Sequence, residues 1–84
     1  MLKIEVLGPG CPKCRLLDKN VRIAVEEMGI EAEVTKVSEI KDIAARRVMM
    51  TPALAVNGDV VSSGHLLTPR QVRELVEKSL SEEA

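Results

Sequence analysis

The sequence of 84 residues contains no phenylalanine, tyrosine or tryptophan. Aromatic stacking on nucleic-acid bases is therefore excluded, and any core has to be built from leucine, isoleucine, valine, alanine and methionine. An excess of charge of either sign is also absent, because 12 Lys and Arg residues balance 13 Asp and Glu residues to a formal net charge of −1. This balance gives no reason to expect nucleic acid or an anionic membrane surface as a partner.

Long apolar runs are absent as well, and none of the runs could span a bilayer. The sequence leads directly into strand-like residues, so we expect no signal peptide. We therefore expect a cytoplasmic protein with no membrane partner. The length suits one small domain over residues 1–84, which we expect to be monomeric.

Cysteine is scarce, and the two residues present, Cys11 and Cys14, lie in the segment Gly8-Pro9-Gly10-Cys11-Pro12-Lys13-Cys14. In the cytoplasm thiols are kept reduced, and a Cys-x-x-Cys pair there is more often catalytic or metal-binding than structural. Two cysteines three positions apart at the start of a helix lie close enough to form a disulfide. Because so small a ring removes little chain entropy, it stabilises a fold poorly. The pair therefore indicates a redox site.

The first half of the chain predicts a strand, a helix and a second strand. Leu2–Leu7 is a short apolar run ended by glycine and proline, which is typical of a buried strand. Cys11 is placed to cap a helix with Pro12 at its first position, and Gly29 is placed to end it. The apolar residues at helical spacing in between are Leu17, Val21, Ala24, Val25 and Met28. Ile30–Thr35 alternates apolar and polar residues, which predicts a half-buried strand.

The second half predicts a short helix, a hairpin and a closing helix. Ser38 could cap a helix with the apolar stripe Ile40, Ile43, Ala44 and Val48. Asn57-Gly58 joins two strand-like segments, Ala53–Val56 and Asp59–Ser63, and favours a type I′ hairpin turn.

The segment Thr68-Pro69-Arg70-Gln71 has the pattern of a capping box and opens the last helix. The apolar positions of this helix are Val72, Leu75, Val76 and Leu80. The predicted order is therefore βαβαββα. Its first strand–helix–strand unit should be parallel and right-handed, and the hairpin adds two antiparallel strands.

This order, with Cys-Pro-Lys-Cys at the first strand-to-helix junction and Thr51-Pro52 opening the hairpin, resembles the thioredoxin superfamily. The closest resemblance is to its small, glutaredoxin-sized redox-active disulfide proteins, and it covers essentially the whole chain. It implies an α/β thioredoxin-like fold, a four-stranded mixed sheet flanked by three helices, and an enzyme that reduces protein disulfides by thiol–disulfide exchange. It further implies a cis proline at Pro52 facing the disulfide, with Thr51 offering backbone hydrogen bonds to an extended substrate.

The chain departs from its relatives at three places. Gly10 stands where thioredoxins commonly carry tryptophan, and Lys13 replaces the aromatic residue between the glutaredoxin cysteines. Ser62-Ser63-Gly64-His65-Leu66-Leu67 replaces the Gly-Gly-x-Asp-Asp-type turn that helps glutaredoxins hold glutathione. We therefore expect electrons from a flavin thioredoxin reductase or a similar donor, disulfide-containing proteins as substrates, and neither a cofactor nor a metal.

The exchange chemistry follows from the position of the two cysteines. A thiolate at Cys11 would be stabilised by free N–H groups and the helix dipole, with Lys13 as a nearby cation. Cys11 would then attack the substrate disulfide, and Cys14 would release the product from the mixed disulfide. Among the flanking residues, Met50 offers an adaptable apolar contact to substrates.

Glu5 is an acidic residue on the strand expected at the centre of the sheet, where an ionised group is unusual. The resemblance implies one role for it, because the matching position in thioredoxins holds a buried acid that acts as a proton acceptor for the second cysteine. The other interpretation is structural, with Glu5 at the sheet margin paired to Lys3 or Lys36. His65, the only histidine, is interpreted as a solvated loop residue.

Two functions of other classes remain open. Cys-x-x-Cys after a strand also occurs in soft-metal carriers, although these end in a strand rather than a helix and lack a proline facing the thiols. A non-catalytic binding module on the same scaffold is the second alternative. The intact cysteine pair argues against it.

Overall fold

Seven elements follow one another in the predicted order βαβαββα. The structure is a computed structural model that describes residues 2–83, so the first and last residues of the expected 1–84 domain lie outside the described residues. The strands are β1 (Leu2–Leu7), β2 (Ala32–Val37), β3 (Ala53–Val56) and β4 (Asp59–Ser63). The helices are α1 (Pro12–Met28), α2 (Ile40–Ala45) and α3 (Pro69–Glu83).

The strands form one mixed sheet in the order β2-β1-β3-β4. As predicted, β1 is parallel to β2, and the hairpin strands β3 and β4 are antiparallel. β3 is also antiparallel to β1, so β1 lies between two neighbours. The hairpin turn lies at the end of the sheet opposite the cysteines, and Asn57 and Gly58 both have positive φ, 51° and 89°. A type I′ turn requires this conformation.

The helices divide between the two faces of the sheet. α1 and α3 pack on one face in a cluster that contains Leu2, Ile4, Val6, Leu17, Val21, Ala24, Leu54, Val56, Leu67, Val72 and Val76. α2 packs on the other face in a smaller cluster of Leu7, Ile43, Val48, Ala53 and Ala55. Because successive side chains of a strand point to opposite faces, Glu5 shares the α2 face with Leu7.

The predicted ends of the long helices are confirmed. Cys11 is the N-cap of α1, and Gly29, at φ 64°, ends it. At the start of α3 the backbone N–H of Gln71 donates to Thr68 Oγ1 at 3.2 Å, and the backbone N–H of Thr68 donates to Gln71 Oε1 at 2.9 Å. These two bonds form the reciprocal capping box.

The prediction for the second strand is shifted. Ile30–Thr35 was expected, whereas β2 covers Ala32–Val37 in register with the whole of β1. The ladder continues beyond the alternating pattern, since Gly8 donates its backbone N–H to the carbonyl of Val37 at 2.9 Å. The bounds of β2 are therefore set by its pairing with the central strand β1. The alternation of apolar and polar residues in its own sequence does not set them.

The apolar stripe predicted for the second helix is wrong in part. α2 has only six residues and is capped at Glu39 rather than Ser38, without a side-chain hydrogen bond. Ile43 and Val48 are buried, but Ile40 is 75 % exposed and Ala44 is also exposed. A helix of fewer than two turns has room for one inward-facing position, and Val48 reaches the core from the loop beyond it.

Membrane insertion was not expected, and within residues 2–83 no helix has the length and apolar character needed to cross a membrane.

The capping box gives a first testable prediction. Thr68→Ala removes the acceptor for the Gln71 N–H and should lower the free energy of unfolding by about 1 kcal/mol. Urea unfolding followed by far-UV circular dichroism measures this, since the chain has no aromatic fluorophore. Thr68→Ser keeps the hydroxyl and is the matched control. Equal stability of the Ala and Ser variants would contradict the assignment.

Candidate functional site

Cys11 and Cys14 are joined in a disulfide at the carboxyl end of β1, where the chain turns into α1. Their Cα atoms are 5.0 Å apart, within the range that disulfides span. Cys11 is partly exposed, whereas only 4 % of Cys14 is exposed. A partly exposed cysteine is thus linked to a buried one.

The Cys11 sulfur lies at the N-terminus of a 17-residue helix. It accepts a hydrogen bond from the backbone N–H of Cys14, with a nitrogen-to-sulfur distance of 3.3 Å. The first turn contains no acidic residue, and Lys13 in that turn is exposed. Unpaired N–H groups and the helix dipole stabilise negative charge at this position. The geometry therefore favours a thiolate on Cys11 once the disulfide is reduced.

Gly8 makes room for Cys14. A Cβ atom placed on Gly8 would overlap the Cys14 sulfur and lie 3.0 Å from its Cβ. Glycine is needed at position 8 because there is no room for a side chain, and not because of its backbone conformation. The absence of a Cβ atom lets the first turn of α1 approach the end of β1 closely. In the sequence Gly8 looks like part of the turn that ends the first strand, and no pattern there distinguishes the contact with Cys14 from an ordinary strand end.

Thr51 and Pro52 lie beside the same junction. The peptide bond between them is cis. Pro52 is fully buried, and its carbonyl accepts the backbone N–H of Gly64 at 2.9 Å. The Cβ of Thr51, which is partly exposed, is 3.9 Å from the position that a Gly8 Cβ would take. Thr51 therefore lies close to Gly8, the residue against which Cys14 packs.

The remaining residues predicted for the site lie at the surface. Gly10, with φ 94°, Pro12 and Lys13 are exposed around Cys11. Met50 is 65 % exposed and packs against Gly64, where an added Cβ would be 3.1 Å from the Met50 Cβ. The Met50 contact is thus with the strand end rather than with the disulfide. His65, outside the strands and helices, is exposed, as expected for a solvated residue.

The predicted lysine partners of Glu5 are wrong, because its carboxylate is bound by Arg46. The two terminal guanidinium nitrogens of Arg46 contact it, Nη1 at 2.6 Å to Oε1 and Nη2 at 2.7 Å to Oε2. The hydrogen bond that Arg46 donates to Glu5 and, second, the negative charge of Glu5 raise the pKa of Arg46 above the ordinary value. Arg46 lies directly after α2, so this ion pair attaches the end of the helix to strand β1, on the sheet face that α2 covers in part. The loop that positions Arg46 could not be inferred from the sequence.

Asp18 was missed by the sequence analysis. It is 8 % exposed and lies on the inner face of α1 with Cys14, Leu17 and Val21. A signal was present, because positions 14, 18 and 21 follow helical spacing along the buried face. A charged residue at the middle of such a series is rarely buried without a reason.

Within residues 2–83, no group of three or more His, Cys, Asp and Glu side chains is placed to hold a metal ion.

Comparison with known proteins gives concordant matches. The model of a family described as thioredoxin domain matches residues 2–77. A protein named thioredoxin from Methanothermobacter thermautotrophicus is 36 % identical over 76 residues, which cover 90 % of this chain and 99 % of the relative. A second protein named thioredoxin, from Methanocaldococcus jannaschii, is 39 % identical over 74 residues, covering 88 % of this chain and 85 % of the relative.

Among solved structures, one titled as the structure of a malarial protein superposes with a TM-score of 0.68. The sequences are 16 % identical, and the match covers 95 % of this chain and 98 % of the other. At this level of identity the likeness shows a shared fold.

The contact at Gly8 gives a second prediction. Gly8→Ala should displace Cys14 or the first turn of α1, lower the free energy of unfolding by about 1–3 kcal/mol, and change the rate at which the reduced protein reacts with DTNB. Urea unfolding and stopped-flow absorbance measure the two effects. Gly29→Ala is the control: its left-handed φ costs about 1–2 kcal/mol, but the added Cβ meets nothing within 4 Å. A Gly8→Ala protein with unchanged exchange rates would refute the contact.

The Glu5–Arg46 pair gives a third prediction. Glu5→Gln should lower the free energy of unfolding by about 1 kcal/mol or less, because the Arg46 side chain is 37 % exposed. The rate of disulfide exchange and its pH profile should not change. Glu33→Gln, at an exposed position of the adjacent strand, is the control. A loss of rate that depends on pH would instead give Glu5 the role of a proton acceptor.

Proposed function

The chain belongs to the thioredoxin domain family of thiol–disulfide oxidoreductases, and we propose that it acts as an electron carrier that reduces protein disulfides through Cys11 and Cys14. The resemblance deduced from the sequence is thereby confirmed at the level of the family. The observation that carries the proposal is the unequal burial of the two joined sulfurs. Cys11 is partly exposed at a helix N-terminus, and Cys14 is buried behind it.

In the first step the Cys11 thiolate attacks one sulfur of the substrate disulfide. A mixed disulfide forms between Cys11 and the substrate, and the other substrate sulfur leaves as a thiolate. In the second step Cys14 attacks the Cys11 sulfur, and the remaining substrate thiolate is released. The substrate gains two electrons, and the Cys11–Cys14 pair loses them.

The surroundings of Cys11 supply the substrate surface. We place an extended substrate segment along Thr51, whose backbone offers hydrogen bonds next to the buried Pro52. Gly10 leaves the approach to Cys11 open, since a larger side chain is absent there. Met50 provides an exposed and adaptable apolar contact at the margin of this surface.

Pro12 and Lys13 support the reactive sulfur. Pro12 lacks an N–H at a position where a helix cannot use one, and it starts the helix directly after Cys11. Lys13 adds a positive charge in the same turn, which favours the thiolate.

The electron donor is proposed by analogy with the relatives named thioredoxin. A flavin thioredoxin reductase or a similar enzyme would return electrons to the disulfide. The segment after β4 lacks the turn with which glutaredoxins hold glutathione, and this absence favours a reductase over glutathione. Such a supply is found in the cytoplasm, where we place the protein.

Reduction of insulin disulfides tests the proposal most directly. The protein would be supplied in turn with a flavin thioredoxin reductase and NADPH, or with glutathione and its reductase, and NADPH oxidation would be followed. Turnover with the first system and little with the second is expected. A protein whose disulfide neither system reduces would refute the electron-carrier role.

The division of labour between the cysteines gives a fourth prediction. Cys11→Ser should abolish insulin reduction, because the exposed nucleophile is lost. Cys14→Ser should stop turnover after the first step and accumulate a mixed disulfide with substrate, visible by mass spectrometry and removed by dithiothreitol. If limiting iodoacetamide at neutral pH alkylates Cys14 before Cys11 in the reduced protein, the two roles are reversed.

A further inference from the structure

Asp18 is the only charged residue that is buried in the part of the chain whose side chains are described. One carboxylate oxygen, Oδ2, accepts a hydrogen bond from Arg22 Nε at 3.1 Å and lies 3.7 Å from Lys36 Nζ. The other oxygen, Oδ1, is buried and has no hydrogen-bond partner among the described residues. A buried acceptor without a donor is costly and rare in folded proteins. The arrangement therefore calls for an explanation.

The position of Asp18 on α1 supplies one. Asp18 follows Cys14 by four residues, so the two side chains are neighbours on the buried face of the helix. Cα–Cβ bonds in a helix tilt toward its N-terminus. The Asp18 carboxylate accordingly leans back over the turn that holds Cys14. The two cations that bind Oδ2 have side chains more than half exposed, 53 % for Arg22 and 59 % for Lys36.

Glu5, the acidic residue on the central strand β1, faces the side of the sheet opposite to α1. Its side chain lies on the α2 face, where Arg46 contacts both of its oxygens. Cys14 belongs to α1, which packs on the opposite face. Asp18 is thus the buried acid that shares a layer with Cys14.

We propose that Asp18 is the proton acceptor for Cys14 in the step that releases the product. The proposal rests on the proposed function and adds a residue to it. In the mixed disulfide Cys14 is a thiol. Its proton passes to Asp18 Oδ1, directly or through one water molecule, as the Cys14 sulfur attacks Cys11.

The step balances in atoms and electrons. The Cys11–Cys14 bond forms, the bond between Cys11 and the substrate sulfur breaks, and the substrate leaves as a thiolate with the electron pair. The proton on Asp18 then passes to that thiolate or to solvent. The charged groups that contact the carboxylate are Arg22 on α1 and Lys36 on β2, and Cys14 lies one turn earlier on the same buried face of α1. Both cations contact the other oxygen, Oδ2, so Oδ1 is the oxygen left to accept the proton.

Electrostatics and proton acceptance predict opposite effects for Asp18→Asn. Removal of a nearby negative charge should favour the Cys14 thiolate and speed the second step. Removal of a proton acceptor should slow it. A positioned acid or base contributes roughly 10²–10⁴-fold to a rate, so we expect a net slowing of at least about tenfold at neutral pH. Because an unperturbed thiol ionises near pH 8.5, the defect should disappear above about pH 9.

Stopped-flow reaction of the reduced protein with DTNB separates the two steps. Attack by Cys11 releases one TNB anion, and attack by Cys14 releases a second. For Asp18→Asn we expect an unchanged first release and a slow second release at pH 7 that recovers as the pH rises. Glu26→Gln, an exposed acid-to-amide change two turns further along α1, is the matched control and should leave both phases unchanged.

Three results would overturn the proposal. The second release in Asp18→Asn could be as fast as or faster than in the wild type, or it could be slowed equally at every pH, which indicates a structural role. The pH-dependent defect could also appear in Glu5→Gln instead. Urea unfolding verifies that the variant is folded, and Asp18→Glu, which retains a carboxylate, should restore the pH profile. Failure of the wild type to release either TNB anion would refute the proposed function itself rather than the role of Asp18.

Discussion

The close approach of α1 to the end of β1 is the constraint on which the rest of the molecule depends. Cys14 packs where a side chain on Gly8 would stand, so the helix begins directly at the carboxyl end of a central strand. That strand is paired on both sides, which fixes the direction in which α1 leaves it. Because the helix starts there, the positive end of its dipole lies at Cys11, and backbone geometry makes the surroundings of the two cysteines different.

The division of the sheet into two unlike faces decides what each acidic residue can do. The α1 and α3 face holds the larger apolar cluster, and the short α2 covers only part of the opposite face. Glu5 lies on the partly open face and is bound by Arg46, so its charge serves to attach the chain after α2. Asp18 lies on the covered face with Cys14, where one of its carboxylate oxygens is buried without a hydrogen-bond partner among the described residues. The two acids thus lie in different layers, Glu5 on strand β1 facing α2 and Asp18 on helix α1 on the opposite side of the sheet.

Features that depend on interactions between residues close in sequence were predicted accurately, and features that depend on residues far apart in sequence were not. The capping box at Thr68, the αL glycine at Gly29 and the Asn57-Gly58 turn depend on a few adjacent residues, and each was predicted correctly. The bounds of β2 were not, because pairing with β1 extends it to Val37. The apolar stripe predicted for α2 was wrong in part, because a six-residue helix has room for one inward-facing position. The residue that is buried depends on how the helix packs on the sheet and not on its apolar periodicity.

The sequence by itself determined the order of elements, the presence of a redox disulfide and the place of Cys11 at a helix N-terminus, since local patterning and capping specify all three. Only the tertiary structure decided which groups meet across the sheet: Arg46 with Glu5, Gly8 with Cys14, and Asp18 with the buried face behind the thiol. These contacts join residues whose positions depend on how helices settle onto the two faces. The periodicity of the sequence does not specify these contacts, because each depends on the packing of many side chains between the helices and the sheet.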